Sequence, residues 1–151
     1  MTGRARAILD ATRYAVIGTA TPSGDPWVSP VYFVSLGIGR LLWLSRPSSR
    51  HSRLIAGNDR IAVTVFDSTV PAGAATAFYA LATAGLCPDA DLPSELDAFS
   101  ARSAAHGFPA WRLDQVTGDA ALRLYRAEVD QAWLLPADDG PERRISLTLP
   151  S

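Results

Sequence analysis

Hydroxyl, guanidinium and imidazole groups are concentrated in one stretch of the chain, Ser45-Arg46-Pro47-Ser48-Ser49-Arg50-His51-Ser52. Pro47 interrupts the apolar run before it, and Arg50 to Ala56 has the composition of a short helix closed by Asn58-Asp59. The first turn of a helix presents backbone N–H groups without partners and the positive end of the helix dipole. A turn of this kind with Arg50 beside it is suited to an oxyanion such as a phosphate. The same residues admit a plainer reading, in which Ser48 or Ser49 caps the helix and the arginines are solvated.

Other reactive side chains are less suggestive. His51 and Ser52 are adjacent on a helix and point apart, and no Gly-x-Ser-x-Gly elbow is present, so a serine hydrolase is disfavoured. His106 precedes Gly107 and reads as the end of a helix, where a cation suits the dipole. Gly37-Ile38-Gly39 lacks the third glycine and the following helix of a dinucleotide fingerprint and reads as a hairpin turn. Cys87 before Pro88 reads as an inert thiol. Among the aromatic residues Trp27, Tyr32, Trp43, Trp111 and Trp133, core or interface packing is the ordinary role.

The elements that must position the Ser45–Ser52 stretch are mostly strands. A short N-terminal helix ends before Tyr14. Strands are expected at 15–21 and 27–36, joined by the Pro22-Ser23-Gly24-Asp25-Pro26 turn, and at 40–45. Pro30 lacks an N–H and places its position at an edge or a bulge, a feature common beside binding sites. Residues 60–67 alternate Ile61, Val63 and Val65 with Ala62, Thr64 and Phe66, so both faces are expected to be covered. A strand at 76–86 carries alanines that suit a helix equally well, and its neighbours decide for a strand. A helix is expected over 93–106, with Leu96 and Phe99 inward, then three closing strands at 121–126, 130–135 and 144–149. Asp89-Ala90-Asp91 and Asp138-Asp139-Gly140 read as solvated loops. Many short strands with close turns and only modest helices point to an antiparallel barrel or sandwich and against a doubly wound parallel sheet.

Composition narrows the function classes. With 151 residues, 48% hydrophobic and 19% charged, the chain is expected to form one domain, residues 1–151, with a core of its own. One cysteine allows no internal disulfide, and two histidines with that thiol cannot complete a Cys/His zinc site. Nucleic acid is disfavoured as a partner because 14 basic residues meet 15 acidic ones. All the basic residues are arginine, so any anion must be held by guanidinium, imidazole, hydroxyl or backbone N–H. No apolar run approaches the roughly 18 residues of a membrane span, and no apolar signal core follows the first residues, so no membrane association and a cytoplasmic location are expected.

The order of motifs from Tyr14 to Phe66 resembles the pyridoxamine 5'-phosphate oxidase-like family of flavin-binding split barrels. The resemblance is carried by Gly18-Thr19-Ala20, by Gly24-Asp25-Pro26-Trp27-Val28-Ser29-Pro30-Val31-Tyr32-Phe33, by Leu42-Trp43-Leu44-Ser45, by Ser49-Arg50-His51-Ser52-Arg53-Leu54 and by Asn58 to Val65. Leu124-Tyr125-Arg126 resembles the family's closing hairpin more loosely. This likeness implies a mainly β fold with small helices, a six-stranded antiparallel split barrel. It also implies a homodimer with flavin mononucleotide (FMN) bound across the subunit interface and an oxidoreductase acting on a small molecule. A small barrel has too little interior for an isoalloxazine ring, which agrees with a cofactor between subunits.

Carried over position by position, the resemblance assigns the phosphate to Ser45, Ser49, Arg50 and His51, and the flavin ring to the strand segment Ser29, Pro30, Val31 and Tyr32. Two departures stand out. The family's lysine after the arginine is His51 here, so phosphate affinity is expected either to be weaker or to rise as pH falls through the imidazole pKa. The C-terminal Arg-x-His of true pyridoxamine phosphate oxidases reads Arg144-Ile145-Ser146, which argues against vitamin B6 oxidation while leaving flavin binding untouched. Three alternatives stand beside the FMN oxidoreductase: a reductase using the deazaflavin F420, a flavin-binding protein without turnover, and a barrel that has lost cofactor binding, to which His51 and the lack of any lysine give weight. The fold alone does not separate them.

Overall fold

The computed structural model describes every residue except Asp139 and Glu142; Asp139, in the acidic turn expected at 138–140, therefore lies outside the described residues. Helix α1 (Thr2–Ala11) leads into strands β1 (Tyr14–Ala20), β2 (Pro26–Ser35) and β3 (Arg40–Ser45), followed by helix α2 (Arg50–Gly57). Strands β4 (Arg60–Phe66) and β5 (Ala77–Leu86), helix α3 (Leu92–Ala104), the long strand β6 (Arg123–Leu135) and the two-residue β7 (Ile145–Ser146) complete the order. Gly24 turns the first hairpin at φ 99°, a conformation that favours glycine.

The strands run β3-β2-β1-β4-β5-β6, and β6 pairs again with β3, closing a six-stranded antiparallel barrel with β7 outside it. The interior is filled by alternating side chains, among them Ile17, Phe33, Trp43, Val63, Val65, Phe78 and Leu134. The Trp43 and Tyr125 rings stack at 6.0 Å. Ala80, Ala82 and Ala84 of β5 also point inward, where a narrow barrel needs small residues. They belong to a strand because β4 and β6 pair on both sides of them.

The barrel is open along one seam. β2 pairs with β1 from Pro26 through Tyr32, but with β3 only over Phe33 to Ser35, so the first part of β2 has a partner on one side only. Pro30 lies in this stretch opposite Val16, an edge position as its missing N–H requires.

Three expectations are corrected. The segments 121–126 and 130–135 are one strand, β6, whose register against β5 shifts between Leu81 and Ala82. Leu81 faces Gln131 and Ala82 faces Val129, so Asp130 is the extra residue of a bulge. The polar pair Asp130-Gln131 interrupts the alternation and imitates a turn. The last strand is Ile145–Ser146 and not 144–149. The outer face of β4 is not covered either: Ala62 and Phe66 are exposed, because α3 packs on the other side of the barrel, against β2 and β3.

The second apolar cluster lies under α3, where Leu96 and Phe99 meet Val34, Leu42, Leu124 and Val116. The buried Glu95 of the same helix accepts from Arg40 at 2.6 Å and Arg126 at 3.2 Å, pinning α3 to β3 and β6. Phe78→Ala leaves a cavity in the barrel centre and is expected to lower stability by about 3–5 kcal/mol, read from the midpoint of urea unfolding.

Candidate functional site

The site begins where β3 ends. Ser45 is the last residue of β3, and the chain turns through Arg46 to Ser49, with the Ser49 N–H donating to the Arg46 carbonyl at 3.0 Å. Ser49 is the N-cap of α2: its hydroxyl accepts from the Ser52 N–H at 3.3 Å and donates to the Ser52 hydroxyl at 2.7 Å. The capping reading of Ser49 is therefore correct. It does not exclude the anion reading, since a cap leaves the other N–H groups of the first turn free.

His51 faces inward to the same hydroxyls. Its Nε2 lies 2.8 Å from the Ser45 Oγ and 3.3 Å from the Ser49 Oγ. Burial lowers its pKa below the ordinary 6.5, so the ring is neutral at neutral pH. At the position where the family resemblance puts a lysine, this chain holds a neutral hydrogen-bonding group.

Arg50 points elsewhere. Its guanidinium carbon lies 4.0 Å above the centre of the Trp27 ring. This contact joins the first residue of α2 to the start of β2, two residues before Ser29, so the candidate phosphate and ring segments are neighbours in space. Along the second segment, Ser29 is half-buried and Pro30 exposed, while the Val31 side chain is in the barrel core and leaves only its backbone to meet a ligand.

Tyr32 is held by its surroundings. Its hydroxyl lies 2.6 Å from the His106 Nδ1, and its ring makes contacts with Tyr14, Phe99 and Phe108. Burial raises its pKa, partly offset by the Arg13 guanidinium. Helix α3 ends at Ala104, so His106 follows the helix and is less a cap than the partner of Tyr32. Nothing local in the sequence marks this pair, 74 residues apart.

Beside these segments lies a cavity of about 600 Å³, walled by Ala11 of α1, Tyr14 and Val16 of β1, Phe66 of β4, and Val70 and Thr76 of the loop after it. Tyr14 is the cross-strand partner of Tyr32, and Val16 of Pro30, so the cavity floor is one strand away from the ring segment. Cys87 takes no part: buried, and with its thiol donating to Glu95 at 3.0 Å, it has a pKa pushed up to about 12. At the C-terminal end the Arg144 guanidinium lies 4.9 Å over the Tyr79 ring. Among the described residues, no group of three or more His, Cys, Asp or Glu could hold a metal ion, and no helix is long and apolar enough to cross a membrane.

Residues 1–135 match the family described as pyridoxamine 5'-phosphate oxidase. The chain belongs to that family. A search of curated proteins gives no match. Solved structures share the fold at low identity. A FAD-binding protein from Mesorhizobium loti is 17% identical, with a TM-score of 0.68 over 89% of this chain and 93% of that one. An F420 reductase is 18% identical, with a TM-score of 0.60 over 84% and 94%. A heme-binding protein from Mycobacterium smegmatis is 18% identical, with a TM-score of 0.71 over 94% of this chain; the chain spans only 56% of that protein. Barrels of similar fold thus carry different names and ligands, and the residues of the chain itself must discriminate.

Because folding favours the neutral His51, the unfolded chain takes up a proton first as pH falls. The stability contributed by this group is complete above about pH 6.5 and declines below it. His51→Gln is expected to flatten this decline, so that the drop in thermal midpoint between about pH 7 and about pH 5 is smaller than in the wild type, measured by circular dichroism.

Proposed function

We propose that the protein is an FMN-dependent oxidoreductase acting on a small molecule and working as a homodimer. The observation that carries this reading is the arrangement at the start of α2. Arg50, in no ion pair among the described residues, opens α2 directly after the Ser49 cap, and its guanidinium lies over Trp27 on the unpaired edge of β2, while the Ser45 and Ser49 hydroxyls meet at His51 of the same helix turn. The donor set fits a phosphate ester: one free guanidinium, the Ser45 and Ser49 oxygens, and the amides of the first turn. When bound, the flavin would supply hydride transfer at its N5. The chain's own part is to hold and shield. Ser45, Ser49 and Arg50 bind the phosphate, and the free edge of β2 from Ser29 to Tyr32 offers backbone N–H and C=O groups to the polar rim of the ring, Pro30 contributing only its carbonyl. The cavity beside Tyr14 and Val16 gives a substrate room within the range of small-molecule sites.

The uncovered face supports the dimer reading. Val28 is 66% exposed, Phe66 43% and Leu81 37%, all on the outer surface of the β2-β1-β4-β5 sheet that α3 leaves bare. A second copy over this face would bury these side chains and exclude water from the ring segment. Phe66→Asp is expected to turn the dimer into a monomer by light scattering and to lower flavin retention with it.

A second cofactor reading has its own support. Arg46 and Arg53 are exposed near Arg50, and three guanidinium groups around one helix start would suit the acidic tail of F420. The F420 reductase of the same fold is in keeping with this.

The visible absorption spectrum of the purified protein, before and after addition of FMN and desalting, tests the proposal. FMN retained and identified by mass after heat release is the expected result. Loss of FMN with retention of F420 or hemin would replace the cofactor, and loss of all three would overturn the enzyme reading. Arg50→Ala is expected to weaken FMN binding at least about tenfold, the scale of one charge-assisted hydrogen bond, measured by quenching of flavin fluorescence.

A further inference from the structure

Six of the fourteen arginine side chains in this protein meet carboxylates among the described residues. Arg40, Arg60, Arg102, Arg112, Arg126 and Arg143 each have an acidic partner. Arg50 has none among the described residues and is placed instead over an indole ring, 4.0 Å from its centre. A carboxylate would cancel the charge of the guanidinium and occupy its donors. An aromatic face attracts the cation while accepting none of its in-plane N–H groups. Arg50 is thus held and still free to donate.

We propose that Trp27 is the positioning residue of the anion seat, fixing the Arg50 guanidinium at the start of α2 for a phosphate ester. The inference rests on the reading of that seat as the FMN phosphate site and adds to it a residue that touches neither phosphate nor hydroxyls.

Two further observations support it. The Trp27 backbone is itself fixed: Thr19, 3% exposed, pairs with it across the hairpin and donates its hydroxyl to the Trp27 carbonyl at 3.1 Å. The ring therefore projects from an anchored point on β2, although 39% of the residue remains exposed. The second observation is the state of His51. Neutral and turned to Ser45 and Ser49, it adds no charge to the seat, so the attraction for a phosphate falls to arginine. Arg46 and Arg53 have neither an ion pair nor a ring contact among the described residues. Of these three arginines, Arg50 is the one held by a ring contact. An arginine that is already ordered loses less rotamer freedom when it grips a ligand, and this is how Trp27 would raise affinity without touching the phosphate.

The test compares FMN with riboflavin, which has the same ring and no phosphate, on the full chain freed of bound flavin. Trp27→Ala is expected to weaken FMN binding about fivefold, the scale of a partly exposed cation–π contact, and to leave riboflavin binding unchanged. Trp27→Phe should recover most of the loss. In an Arg50→Ala background the Trp27 substitution should have no further effect, because the ring acts only through the guanidinium. Equal losses for FMN and riboflavin would show a ring contact or a damaged fold and overturn the proposal, as would no loss for either. Should the wild type bind neither flavin, the cofactor reading fails, and calorimetric titration with inorganic phosphate decides this one. Phosphate binding weakened by Trp27→Ala upholds it, and a wild type without phosphate binding overturns it.

Discussion

Closing β6 onto β3 fills the barrel with its own side chains, and this single closure decides where any ligand can go. Phe33, Trp43, Phe78 and Tyr125 occupy the interior, with alanines where the walls come closest. A planar cofactor has to bind outside. The same closure uses β6 as the partner of both β5 and β3, which leaves β2 with only three residues of pairing to β3. Free backbone on β2, next to the hydroxyls at the end of β3, is the geometric result.

The two outer surfaces of the barrel are treated differently. On one, α3 buries Leu96 and Phe99 and is tied down by Glu95 between two guanidinium groups. Removing a partner from such a buried pair generally costs more than the pair contributes, so the role of this network is to orient the helix more than to stabilise the chain. With the helix so placed, its C-terminal turn brings His106 to Tyr32. On the other surface the outward side chains of Val28, Phe66 and Leu81 are exposed. It is this face that a second copy would cover in the dimer proposed above.

How much of this was legible in the sequence depended on how local the signal was. The first hairpin, the edge position of Pro30 and the cap at Ser49 follow from a few adjacent residues, and the structure places them as expected. The ordered motifs from Tyr14 to Phe66 were sufficient to indicate the family and the barrel. What failed was non-local. The bulge at Asp130 depends on Arg60 and Thr83, which hold its carboxylate from other strands. The pairs of Tyr32 with His106 and of Arg50 with Trp27 join residues far apart in sequence, and Glu95 gives no sign of burial until its two arginines arrive from β3 and β6. The exposed face of β4 was misread because alternating apolar residues look the same whether the second face meets a helix of the same chain or none.

The setting of Cys87 has a practical side. Its thiol donates to a carboxylate, so the thiolate that alkylating reagents and oxidants require would form against a negative charge at a buried position. The natural cysteine should therefore stay silent toward maleimides and peroxide while the fold is intact. A cysteine introduced on the outer sheet face could carry a spectroscopic label with no need to remove the native one, and labelling of Cys87 itself would serve as a clock for unfolding.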